Sequence, residues 1–492
     1  MLDPRTPVLV GVGSITQRGE GDVVLTDLDE PIELMRRAAE AAAADAHAPG
    51  LLTRVGLVLV PKGIWDYPDA AGQVAEAIGA TAHTVVGEVG ILQQTLITRA
   101  AAEIAAGRVD VALVVGGEAR HRAVLAFRQG AEAFDTLTQG RPDELLLPDG
   151  EIITGVEIER DLAVPAHQYA LVESVLRHDD GLSADQQRAC LGRLWAGFAR
   201  VAASNPEAWD RSGPNAETIA TPDAENRMIA SPYTKRLCSQ WNVDQAASLL
   251  LTSVAVAEAA GVPRERWLFL AATAESQAMV PLPARADLHR SFGTGLAGRA
   301  VLDALGIAID AVAYRDIYSC FPAAVQVQAR ELGIDADPDH HPLTVTGGMT
   351  FGGGPLNSYV LHSTATMADR LRRDPGALGM ITSVSGMLTK PAVAIWSTEP
   401  GPASFAPIDV TAAARATIAT LPLDPAATGN GRIVGHTVVH DRGVPARSVA
   451  IIELDAGLRT VAVDVDAERA ATPVGEDRVD ERVAVTTAGV FR

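Results

Sequence analysis

The sequence predicts an α/β protein built on an internal duplication. Three observations predict it. Apolar strand-like runs alternate with alanine-rich helical stretches along the chain. Hydrophobic residues make up 47% of the 492 residues and aromatics only 4%, which suits close helix-on-sheet layers. A helix-start and helix-stop pair also recurs, since Pro68 to Gly79 and Pro322 to Gly333 each span eleven positions.

In chain order, Val8–Val12 reads as a first strand and Pro31–Ala44 as a helix. Val55–Val60 is a strand, and Pro68–Ile78 and Gln93–Ala106 are helices. Val109–Val115 is a strand ending in Gly116-Gly117. The order recurs with strand Val312–Tyr318, helix Pro322–Leu332, helix 356–371 and strand Gly379–Val384. Gly90 and Gly354, which precede matching helices, lie 264 positions apart, against 254 for the two prolines. The offset persists with small insertions, as in a duplicated domain.

Residues 119–240 interrupt this pattern. They are polar and helix-rich, with Trp195, Trp209, an Asn205-Pro206 break and Trp241 just beyond. They read as a long helical insertion, and such insertions often cover a site. From about Pro402 the period changes from helix to strand. A short helix, Val410–Ala419, precedes strands Ile433–Val439, Ser448–Leu454, Thr460–Val465 and Arg482–Thr487. Five or so short strands predict a small separable β-barrel of OB type, with a β-sandwich as the alternative. The expected divisions are 1–118 with 241–260, 119–240, 261–400 and 402–492.

Charge and cysteine usage narrow the function. The net charge is −20, which repels nucleic-acid phosphates and anionic membrane surfaces. Cys190, Cys238 and Cys320 form no CxxC and no zinc spacing, so neither a disulfide framework nor a metal is expected. Met1 to Arg5 does not read as a signal peptide, and no run approaches 18 apolar residues. A cytoplasmic protein without a membrane span is expected.

Gly347-Gly-Met-Thr-Phe-Gly-Gly-Gly354 is the most site-like segment. Five glycines follow the β-branched run Leu343–Thr346 and precede a helix. Glycine at that density lets backbone approach a ligand, and a helix N-terminus offers free N–H groups. Yet no residue from 347 to 354 is a strong acid, base or nucleophile. Other motifs fail. Gly11-Val-Gly13 has Thr16 at the third glycine position of a dinucleotide fingerprint. There is no GK[ST] ending, no GxSxG elbow and no HExxH, and His340-His341 reads as a solvated loop pair. Asp316-Ile-Tyr318-Ser319-Cys320-Phe321 ends a buried-looking strand. Cys320 is there either a nucleophile at a helix start or an inert thiol, and Tyr318 either a ligand donor or structural. Lys390, in Leu388-Thr389-Lys390-Pro391, reads as a solvated turn lysine or a phosphate partner.

On these residues the chain resembles the thiolase superfamily over about 1–400. It is most similar to sterol-carrier-type thiolases and type 1 thiolase-like proteins, which carry an additional C-terminal domain. The phrases that carry the resemblance are Gly107 to Glu118, Trp241-Asn-Val-Asp-Gln-Ala-Ala-Ser-Leu-Leu250, Asp316 to Pro322 and the glycine-rich loop. The resemblance implies a duplicated five-layer αβαβα fold with a helical insertion and a C-terminal OB-like barrel. It also implies an acyltransferase-type site for coenzyme A thioesters, in lipid metabolism.

Residue by residue, that site is degenerate. The nucleophilic cysteine falls at Gly90 and the Gly-His-Pro histidine at Gly354. The Cys-x-Gly cysteine falls at Val384, and the strand-end Asn or His at Tyr318. The implied pocket comprises Gly90, Tyr318, Ser319, Cys320, Gly352, Gly353, Gly354, Asn357 and Ser385. Its backbone donors are expected to remain available to a thioester carbonyl. Arg227, Lys235 and Arg236 are candidates for the coenzyme A phosphates. The expected function is CoA or acyl-CoA binding without thiolase turnover and with no required cofactor. The alternatives are acyl transfer by Tyr318, Ser319 or Cys320, and a scaffold whose partner docks on the C-terminal domain.

Overall fold

The protein is described by a computed structural model covering residues 2–19, 24–472, 474–487 and 489–492. The first half runs β1 (Pro7–Thr16), α1 (Pro31–Asp45), β2 (Leu57–Pro61), α2 (Ala70–Ala77), β3 (His83–Gly87), α3 (Gln93–Ala105) and β4 (Val111–Ala119). The inserted region holds α4 (Arg120–Arg128), β5 (Glu144–Leu146), α5 (Gly155–Glu159), α6 (Pro165–Asp179), α7 (Ala184–Ser204), α8 (Ala216–Ala220), β6 (Met228–Ala230) and β7 (Tyr233–Thr234). β8 (Asp244–Ser253) and α9 (Val254–Ala259) complete the half. The second half runs β9 (Phe269–Glu275), α10 (Phe292–Leu305), β10 (Tyr314–Asp316), α11 (Pro322–Leu332), α12 (Tyr359–Arg373), β11 (Leu378–Ser385) and β12 (Lys390–Ser397). The tail holds β13 (Ile408–Asp409), α13 (Thr411–Thr417), β14 (Gly429–Asp441), β15 (Val444–Leu454), β16 (Arg459–Asp464), α14 (Ala467–Ala471) and β17 (Arg482–Val485).

Two sheets repeat one topology. The first has the order β1-β8-β4-β2-β3-β5 and the second β10-β11-β12-β9-β13. Read as β9-β12-β11-β10, the second matches β1-β8-β4-β2. The pairing senses also match: antiparallel, antiparallel, then parallel. α3 and α12 each pack on both sheets, α1 and α2 cover the outer face of one, and α10 and α11 flank the other. The result is helix, sheet, helix, sheet, helix.

Small residues make the layers close. A Cβ on Gly11 or Gly13 would lie 2.0 Å from the carbonyl oxygen of Ala42 or Ala38. These glycines let α1 lie against β1, which is their packing role. Terminal signals act as expected at α11, where Pro322 opens the helix and Gly333, at φ 67°, ends it.

Two expectations need correction. The insertion is not wholly helical, because β5 extends the first sheet beyond β3 and β6–β7 join the tail. The tail strands form the sheet β16-β15-β14-β6-β7, with β17 also on β14. No pairing among the described residues closes that sheet, so an OB-type barrel is not shown. Nor is the tail packed by itself: Val434, Val439, Val449 and Ile451 share a buried cluster with Leu171 and Val175 of α6. No helix among the described residues is long and apolar enough to cross a membrane.

Candidate functional site

The site lies where the first turn of α3 meets the second sheet. Gly90 has φ 106°, a conformation that favours glycine, and its carbonyl accepts a 2.6 Å hydrogen bond from Lys390 Nζ. A Cβ at Gly90 would stand 2.5 Å from Ile152 Cδ1 and 2.9 Å from Pro148 Cβ. The inserted segment 148–152 therefore walls Gly90. Gln93, one turn on, donates to Asn357 Oδ1 at 3.2 Å and lies beside Tyr318, and Asn357 Nδ2 donates to the Lys62 carbonyl at 3.0 Å. Gly90, Tyr318 and Asn357 are thus gathered around α3, with Ser385 opposite Lys390 across the β11–β12 ladder.

The glycine-rich loop is held from beneath by Asp316. Its Oδ2 accepts from Thr344 Oγ1, Val345 N, Thr346 N and Thr346 Oγ1 at 2.9–3.2 Å. Its Oδ1 accepts from Tyr359 Oη and Ser363 Oγ at 2.8 Å. The backbone N–H groups of 345 and 346 go to this buried carboxylate, so Leu343–Thr346 forms no strand despite its β-branched sequence. Gly347 and Gly348 follow with φ 99° and 72°, and Gly348–Gly352 is a single π-helical turn.

Backbone groups of the glycine run already have partners within the protein, against the expectation of a free backbone cradle. Gly354 N donates to Gln240 O at 2.8 Å, and Gly352 O accepts from Trp209 N and Gln245 Nε2, both at 3.0 Å. Gly353 could not carry a side chain, because its Cβ would meet Gln245 Oε1 at 2.0 Å. No long helix starts directly after Gly354 either. Leu356–Ser358 is one tight turn, and α12 begins at Tyr359.

Tyr318, Ser319 and Cys320 are all buried. Ser319 Oγ accepts from Met349 N at 3.1 Å. Burial pushes the Cys320 thiol up to about 12, with the Tyr169 hydroxyl beside it only partly offsetting this. A thiol held neutral is a poor nucleophile. Burial likewise raises the Tyr318 hydroxyl. Val384 is a buried strand residue.

Arg227, Lys235 and Arg236 do not line this cluster. They lie on the β6–β7 hairpin and the turn after it, where Lys235 N donates to Arg227 O at 2.9 Å. Arg227 and Lys235 are exposed, Arg236 is half-buried, and none has a carboxylate partner among the described residues. The hairpin's exit reaches the site, since Ser239 N donates to Cys320 O and Thr350 Oγ1 to Cys238 O.

Sequence reasoning missed Glu275 and misplaced Lys390. Lys390 is fully buried on β12, not a solvated turn lysine. Glu275, at the end of β9, accepts from Thr95 Oγ1 at 2.8 Å and Gln277 Nε2 at 3.1 Å. The available signal was composition: only Lys62, Lys235 and Lys390 among the 41 basic residues are lysines.

No protein-family model and no curated protein matches the chain. Solved structures do. A monomeric SCP2-thiolase-like protein type 1 from Mycobacterium smegmatis superposes with a TM-score of 0.83 at 30% identity, covering 99% of this chain and 98% of that one. The dimeric peroxisomal thiolase of Saccharomyces cerevisiae matches with a TM-score of 0.57 at 16% identity, over 81% of this chain and 99% of that one. An acetyl-CoA acetyltransferase from Syntrophomonas wolfei matches with a TM-score of 0.56 at 17% identity, over 80% and 99%. The last two share the fold over about four-fifths of this chain. With the tail and insertion covered as well in the first, this chain belongs to the SCP2-thiolase-like type 1 proteins of the thiolase superfamily.

Proposed function

We propose that the protein binds CoA or an acyl-CoA and does not carry out thiolase turnover. The observation that carries the binding is the cation group Arg227, Lys235 and Arg236, left without carboxylate partners among the described residues in a chain of net charge −20. Unpaired cations in an acidic protein suit a phosphate-rich ligand. Turnover is opposed by the walled Gly90, by the missing histidine and cysteine at Gly354 and Val384, and by the protonated Cys320. A cytoplasmic role in lipid metabolism belongs to the same proposal.

Calorimetric titration with CoA and acetyl-CoA tests it. Binding that weakens at high salt, and weakens at least tenfold in the Arg227→Ala/Lys235→Ala/Arg236→Ala variant, is expected. No heat at millimolar ligand overturns it. Acetoacetyl-CoA thiolysis should stay at background, in Gly90→Cys as well. Turnover abolished by Ser319→Ala or Cys320→Ala would favour acyl transfer at that strand end instead.

A second reading has a specific observation behind it. Val444 and Val465 are 66% and 71% exposed on the tail, whose OB-like character is part of this proposal. A structural neighbour with a TM-score of 0.56 is described as an Ltp2-ChsH2(DUF35) aldolase. A stable partner lost on Val444→Asp/Val465→Asp, in a protein that gives no CoA heat, would identify a scaffold.

A further inference from the structure

We propose that Lys390 is an amine nucleophile that condenses with the ketone carbonyl of a small 3-oxo acid, in a buried amine–carboxylate cluster beneath the first turn of α3. The residue is 0% exposed, and among the described residues its Nζ makes one hydrogen bond, to Gly90 O at 2.6 Å. An ammonium has three donors, and no carboxylate stands within ion-pair distance of this one among the described residues. Lysine is rare here, and the other two are placed differently: Lys62 donates to the Trp65 carbonyl and lies over its ring, and Lys235 is exposed. Where this protein needs a buried fixed cation it uses arginine, as at Arg285 and Arg459. Lysine is the basic side chain that gives up its proton readily when buried.

The surroundings favour the neutral amine and supply a proton acceptor. Burial lowers the Lys390 ammonium, with Glu275 and Asp149 opposing. The Gly90 carbonyl it touches lies just before the positive end of the 13-residue α3. Glu275 pairs with Ala392 across the β9–β12 ladder, so its side chain and that of Lys390 share one face of the sheet. Thr95 and Gln277 hold the Glu275 carboxylate, and burial raises its pKa, which suits a group that accepts and returns a proton.

The step balances. The ammonium gives one proton to Glu275 through an intervening water, since the two groups are not in contact, and the freed electron pair forms the C–N bond. The carbonyl oxygen takes one proton from nitrogen and one back from Glu275, then leaves as water. A protonated imine remains, and the reverse addition of water restores the lysine. A ketone is the fitting class because a thioester would leave a stable amide. An anionic 3-oxo acid is drawn by the same positive helix end. Entry requires the 148–152 segment to lift from Gly90, and the Asp149–Arg415 ion pair at 2.8 Å holds it at the surface.

The full-length protein is incubated with acetoacetate and sodium borohydride, and the reduced adduct is located by peptide mass spectrometry. At least tenfold more adduct on Lys390 than on Lys62 or Lys235 is expected. No adduct on Lys390, or adduct on it less than tenfold above that on Lys62 or Lys235, overturns the proposal. The comparison is internal to one folded molecule, so it needs no variant. Arg415→Ala, on the surface, should speed labelling of Lys390 without changing that of Lys62. The probe contains no CoA, so the result stands apart from the CoA titration.

Discussion

Six donors converge on the Asp316 carboxylate from two segments: 344–346, and Tyr359 and Ser363 of α12. Asp316→Ala strands them in a buried place. Each unmet buried donor costs on the order of 1–3 kcal/mol, so a loss of about 3 kcal/mol or more is expected in urea unfolding. A loss below about 1 kcal/mol would show the network to be slack. The thiols give a second check. Burial pushes both Cys238 and Cys320 up to about 12, whereas Cys190 is exposed. Ellman's reagent at pH 8 should modify one thiol in the native protein and three after denaturation; rapid native modification of Cys320 would contradict the burial argument. Two histidines set a pH dependence. Burial lowers His362 and His436 to about 3, from an ordinary value near 6.5. Between those values the unfolded chain binds protons that the folded chain refuses, so stability falls as pH drops below about 6.5. Each histidine contributes a slope of up to about 1.4 kcal/mol per pH unit. His362→Gln should lose less stability than the natural protein between pH 7 and pH 5, measured by urea midpoint. Equal losses would remove His362 from that account.

At the scale of elements, the π-turn depends on glycines. Gly347 sits at φ 99°, and its Cβ would fall 2.4 Å from Ala202 Cβ on α7. Gly347→Ala therefore combines a strained backbone with overlap and should cost about 2–4 kcal/mol, read as a lowered thermal midpoint. An unchanged midpoint would mean that α7 can move aside. The same turn shows what the residues reveal and what they hide. Pro322–Leu332 was legible to the residue, because proline and glycine fix its ends through local geometry. The repeated strands were legible because each buries on both faces and so reads as a continuous apolar run. Leu343–Thr346, a β-branched run, forms no strand because the Asp316 carboxylate takes the Val345 and Thr346 N–H groups that a ladder needs. Lys390 misled because Leu-Thr-Lys-Pro has turn chemistry, and only the tertiary approach of Gly90 shows where the amine lies. The wall over Gly90 was not legible, since Pro148 and Ile152 come from a segment without regular period.

At the scale of the whole molecule, the tail is bound to the body by more than its connecting chain. Arg177 donates to the Gly475 carbonyl, Arg447 pairs with Asp161, and His178 lies 2.8 Å from Asp477. With the cluster shared between α6 and β14–β15, truncation after residue 401 uncovers a large apolar face. The 1–401 chain should aggregate or bind a hydrophobic dye; a monomeric, cooperatively unfolding 1–401 chain would show that the body is self-sufficient. Val439 pairs with Ala230, and about 200 residues of chain separate them. Ribosomes add roughly 5–20 residues per second, so a nascent β6–β7 hairpin waits about 10–40 seconds for its neighbouring strand. During that interval its edge and the buried face of α6 stand open, so a chaperone that protects newly made chains should associate between the emergence of residue 234 and that of residue 439.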